Sequence, residues 1–181
     1  MSEEKKASGR SSAKVEVAVP ASTQSAAERK SAEAELSKLV DEFAPEHVRL
    51  LGATRRLLQK RLPTANEVVY EYRNQGAVVI SYSPNEHGYE GVLTIRGSAQ
   101  GVKLYFSRGK ELPDPGKLLQ GSAQTRWIDV DGASTLSRPA VARLIDEAIA
   151  RNRVPFARAG RGSVVMSPST SARKRRRRRP A

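Results

Sequence analysis

The sequence predicts an α+β fold, with helices packed on one face of an antiparallel sheet of about five strands. Two observations carry this. Apolar side chains recur at helical spacing from Leu36 to Leu62 and again from Val141 to Ile149, whereas from Glu67 the period changes to two. The period-two segments are short, rich in Val, Ile and Tyr, and separated by Gly- and Asn-containing turns.

Leu36, Leu39, Val40 and Phe43 define a first amphipathic helix, with Ser31 placed to cap it and Glu33 and Glu35 near its positive end. Pro45 suits the first position of a second helix. Val48, Leu51, Leu58 and Leu62 line its apolar side, Arg49, Arg56 and Lys60 fall opposite, and Pro63 ends it. Strands follow in EVVYEYR, AVVISYS, GVLTIR, GVKLYFS and RWIDV. The connections among the first four are too short for helical crossovers, so those neighbours should pair antiparallel. Ser137 is expected to cap a closing helix whose stripe is Val141, Leu144, Ile145, Ala148 and Ile149, ending near Asn152 and Pro155.

These elements delimit one domain, residues 31–156. Residues 1–30 are Ser-, Ala-, Lys- and Glu-rich with almost no large apolar side chains, and residues 157–181 have linker composition around Val164-Val165-Met166. Both are expected to be disordered tails, since neither buries enough apolar surface to offset the entropy of ordering. The charge is uneven. Residues 1–30 carry six Lys/Arg against four acids, residues 31–156 carry 17 against 15, and residues 157–181 carry nine against none, within a net charge of +13. Seven of the nine are consecutive: Arg173, Lys174, Arg175, Arg176, Arg177, Arg178 and Arg179. These are the expected nucleic-acid-binding residues, because a run of cations binds polyanions by counterion release without sequence preference.

Other chemistries find little support. There is no cysteine, which excludes disulfides, thiolate metal sites and cysteine nucleophiles. No apolar run has signal-peptide or membrane-span length, so a cytoplasmic protein without a membrane partner is expected. The sequence contains no HExxH, nucleophile elbow, Walker loop or paired-glycine dinucleotide turn. No catalytic residue, cofactor or metal site is assigned. His47 projects toward the apolar side of the second helix as a packed or capping residue, and His87 sits in an exposed hairpin-like loop. Lys103, Arg108, Lys110, Lys117 and Arg126 gather around Gly121 and Ser122, whose amides would make an anion nest, but two prolines and two glycines there favour a rigid crossover wrapping the sheet edge. Trp127 reads as a core or sheet-edge anchor. No aromatic-interleaved platform for stacking bases is expected, which argues against a single-strand reader.

Three segments carry a resemblance: FAPEHVRLLGATRRLLQKRLPTANEVVYEY, GVKLYFSRGKELPDP, and GKLLQGSAQTRWIDVD followed by LSRPAVARLIDEAIA. Over about residues 36–151 the chain resembles the YdhG-like family of bacterial domains of unknown function. The most specific string is Leu112-Pro113-Asp114-Pro115 with Leu118-Leu119 and Gly121-Ser122, where this chain has Gln120 in place of the Lys common in similar members. The resemblance implies a frataxin-like sandwich and transfers no catalytic residue. It also raises an alternative, a small-ligand or iron-handling domain with an incidental basic tail, for which Asp41, Glu42 and Glu46 are the candidate ligands. The leading expectation is a non-enzymatic binding or accessory domain tethered to nucleic acid or another polyanion by its arginine run.

Overall fold

A computed structural model describes residues 22–168, so the segments 1–21 and 169–181, the arginine run among them, lie outside the described residues. The element order is α1 (Ala26–Val40), α2 (Pro45–Arg61), β1 (Asn66–Tyr72), β2 (Ala77–Ser83), β3 (Leu93–Ser98), β4 (Gly101–Phe106), β5 (Arg126–Asp129), α3 (Pro139–Ala150) and β6 (Val164–Met166). The α+β class holds, and the sheet differs from expectation in having six strands and mixed pairing. Its order is β5-β4-β3-β2-β1-β6, an antiparallel meander to which β6 adds in parallel beside β1.

α1 starts six residues before the expected Ser31 cap because Ser25 and Glu28 form a capping box. The Glu28 amide donates to Ser25 Oγ (3.2 Å) and the Ser25 amide donates to the Glu28 carboxylate (2.8 Å). Ala26 to Lys30 then propagate the helix as good helix formers. Ala32, Leu36 and Val40 face the core. α2 begins at Pro45 as expected and buries Leu51, Thr54 and Leu58. It approaches the sheet closely at Gly97, where a Cβ would lie 3.0 Å from Leu51 Cδ2. α3 is preceded by Arg138 rather than capped by Ser137, which belongs to a short 3-10 turn, and it buries Val141, Leu144 and Ile145. These stripes meet Val69, Ile80, Tyr82, Ile95, Leu104 and Phe106 from one side of the sheet.

The reading of residues 157–168 as linker, and of Phe156 as the domain boundary, is corrected by β6. Ser163 O accepts from the Glu67 amide (2.8 Å), and the Ser167 amide donates to Val69 O (2.8 Å). Its free edge is met by a side chain: Gln24 Nε2 donates to Val164 O (2.7 Å) and Gln24 Oε1 accepts from the Val164 amide (2.9 Å). The strand enters through Gly162, where a Cβ would fall 1.7 Å from Ala65 O, so no other residue fits. Arg29 donates to the carbonyl of Gly162. Val164 is 1% exposed, which makes it core rather than tail.

Ending the chain at Phe156 should therefore cost on the order of 3 kcal/mol, from the burial of Val164 and the lost partners of Glu67 N and Val69 O. Thermal denaturation should show the 22–156 fragment melting roughly 6 to 12 °C below the 22–168 fragment. Gly162→Ala should reproduce much of that loss. Equal melting temperatures for the two fragments would remove β6 from the folded unit.

Candidate nucleic-acid interface

With α1, α2 and α3 on one side, the sheet has a second face that no helix among the described residues covers. Strand register sets its side chains in rows. Tyr70, Val79, Arg96, Lys103 and Asp129 stand side by side from β1 to β5, and Val68, Ser81, Thr94, Tyr105 and Trp127 form the next row. Tyr72 extends the face at the end of β1. Four aromatics and two cations thus share one face, an interleaving that no single strand shows. No strand contributes more than two of them, so the pattern is invisible until register aligns the strands.

Two loops trim this face from opposite sides. The β2–β3 loop folds over β1, where Gly88, with φ +74°, leaves room for Tyr70 and Val68, and Tyr70 Oη donates to His87 O (3.5 Å). On the β5 side Gly121 lies against the Trp127 indole, and Gln120 and Trp127 exchange backbone hydrogen bonds of 2.8 and 3.2 Å. Between them Tyr72, Val79, Thr94, Arg96, Lys103 and Tyr105 stay half-buried. Lys103 Nζ lies 5.5 Å from the Trp127 ring centroid and 2.8 Å from Asp129 Oδ1. Tyr105 and Trp127 rings are 5.8 Å apart, tilted by 38°. Hydrogen bonds from Lys103 and Gln120 hold the Asp129 carboxyl below its usual range. Asp129 is the only acid at the strand positions of this face.

The other expected groups are dispersed. Asp41, Glu42 and Glu46 are exposed at the α1–α2 junction, and among the described residues no three His, Asp or Glu side chains are grouped to hold a metal. Arg49, Arg56 and Lys60 are exposed on α2. Arg49 and Arg56 line a groove of about 930 Å3 with His47, Gly101, Val102 and Asp131. His47 is half-buried, and its Nδ1, like Trp127 Nε1, is buried with no hydrogen-bond partner among the described residues. His87 is exposed. Gly121 and Ser122 are exposed in the crossover at the sheet edge. Asp114 takes the amides of Leu118 (2.9 Å) and Leu119 (2.8 Å), so the loop already holds its own anion, while Arg108 pairs with Glu111.

The residue that sequence reading missed is Glu67. It points to the helix side, 3% exposed, and its carboxylate accepts from Arg55 Nε (3.0 Å), Arg55 Nη2 (2.6 Å) and Gln59 Nε2 (2.9 Å). Arg55 also donates to both oxygens of Glu33 on α1, at 2.6 and 2.8 Å. Those bonds hold the Glu33 carboxyl below its usual range, while burial pushes the neighbouring Tyr82 phenol well above its own. Tyr82, Glu67, Arg29 and Arg161 line a cavity of about 410 Å3. With its lone pairs occupied by a guanidinium and an amide, Glu67 is placed to tie elements together rather than to take a substrate proton.

Removing Arg55 alone leaves a buried carboxylate unpaired, so Arg55→Met should cost about 3 to 5 kcal/mol in urea denaturation, and adding Glu67→Leu should recover most of it. The pH profile of stability should have two limbs. Glu33 has a depressed folded pKa, so its contribution is present above the usual 4.5 and is lost as pH falls through the lower folded value. Tyr82 has a raised folded pKa, so its contribution is full below pH 10 and is lost as pH rises beyond it. Melting temperatures measured from pH 3 to 11 check both limbs; a flat profile would contradict the network. No family model, curated protein or solved structure matches the chain.

Proposed function

We propose that this is a non-enzymatic nucleic-acid-binding protein of the cytoplasm, in which Arg173 to Arg179 supply the affinity for a polyanion and the α+β domain acts as an accessory module. The resemblance of residues 36–151 to YdhG-like domains of unknown function carries no catalytic residue over to this chain. The observation that carries the reading is the partition of charge. Residues 22–168 hold 21 Lys/Arg against 16 Asp/Glu, whereas residues 169–181 hold seven cations and no acid. Seven adjacent cations release condensed counterions from a phosphate backbone wherever they land, and no particular base order is needed. Among the described residues no helix is long and apolar enough to cross a membrane.

Deleting Arg173 to Arg179 tests this directly. The intact chain should bind duplex DNA with a log–log salt slope approaching about −6, at roughly −0.9 per phosphate neutralised. The deletion should weaken binding at low salt by on the order of 100-fold and flatten the slope. Unchanged retention on duplex DNA or RNA would refute the tether.

A further inference from the structure

We infer that the uncovered face of the sheet is a stacking platform for the bases of single-stranded nucleic acid. The inference rests on the nucleic-acid reading above and names the strand form that the folded domain selects. Aromatic rings stand at both sides of the face, Tyr70 and Tyr72 on β1 and Tyr105 and Trp127 on β4 and β5. Arg96 and Lys103 are register partners between them. Neighbouring strands are about 4.8 Å apart, so β1 and β4 lie roughly 14 Å apart across the sheet; the four-residue register offset of Tyr72 from Tyr105 brings that pair to about 20 Å, within reach of about four nucleotides, the shorter end of known single-strand sites.

Such an order suits one kind of polyanion. An unpaired base offers a π-face to Tyr72 or Tyr105 while its phosphates pass Arg96 and Lys103, whereas a duplex keeps its bases stacked on one another and gains nothing from an aromatic floor. The charge agrees in sign: Lys103 is paired with Asp129, and Arg96 leaves the strand positions of the face one net positive charge. Covalent geometry agrees as well. Ser167 is bonded beside Val69, and Arg173 is six residues further, so a strand lying on the face is within roughly 20 Å of chain of the arginine run. The domain thereby adds selectivity to an affinity that is otherwise blind to strandedness.

The test uses the full chain with an oligothymidylate of about a dozen nucleotides, a duplex of equal length and inorganic polyphosphate. Trp127 is the sole tryptophan and lies on the face, so its emission reports occupancy. Oligothymidylate should quench it and polyphosphate should not. Tyr105→Ala and Tyr72→Ala should each weaken oligothymidylate binding by on the order of 10-fold while leaving duplex and polyphosphate binding unchanged, and Tyr105→Phe should bind as the parent does. Should Tyr105→Ala fail to fold, Tyr72→Ala and the quenching decide. Equal affinity for single strand and duplex, equal losses on both in the tyrosine variants, or no quenching by oligothymidylate would overturn the platform. Deletion of the arginine run lowers all three ligands together and judges the tether alone. A selective tyrosine effect that survives an ineffective deletion would keep the platform and discard the tether.

Discussion

Glu67 is a carboxylate with nowhere to go but Arg55, and the corner where α1, α2 and β1 meet is organised around that constraint. Burying either ion alone is prohibitive, and burying them together is tolerable only because Glu33 and Glu67 accept from the guanidinium fork on two sides while Gln59 donates to Glu67. Three elements are thereby locked to one group. The same corner receives the last strand, since the Glu67 amide is the first donor to β6 and Arg29 on α1 holds the carbonyl of Gly162. Closure of the fold at its far end thus depends on an ion pair formed near its beginning.

Placing every helix on one side has an opposite and equally physical outcome on the other. A sheet needs one apolar face to build a core, and once that face is covered the second is free to carry polar and aromatic residues in water. Val68 and Ser81 on that second face are buried all the same, under a loop that passes so close that Gly88 and Gly91 have no space for a side chain. The loop and the Gly121 turn therefore set the width of the exposed strip. They decide which tyrosines meet solvent.

The helices and the meander were legible because their signals are local: a 3.6 period beside Pro45 and Pro139, and a period of two punctuated by Gly and Asn. β6 was not. Three residues carry no periodicity, and the parallel partner of Val164 is Glu67, 97 positions away, so only tertiary pairing distinguishes the segment from linker. The SAAE capping box at Ser25 is a local signal too, and it outcompetes Ser31 as the start of α1. Nothing in the sequence singles out Arg55 and Glu67, since burial of an ion pair leaves no mark there when the partners lie 12 residues apart on different elements. The aromatic face failed for a related reason: Tyr72, Tyr105 and Trp127 belong to three strands, and side-by-side placement is a property of register.

Gln24 has a consequence of a different kind. By mimicking a neighbouring strand with one amide side chain, it occupies both hydrogen-bonding groups of Val164 that a seventh strand would require, and so discourages docking of another sheet there. It also brings the two ends of the folded unit together, with the hydroxyls of Ser22 and Ser163 in contact. The fold is in effect a closed loop of chain whose seam lies at β6. Circular permutation should be topologically easy, with a short bridge across the seam and new ends opened at the exposed Tyr89 turn.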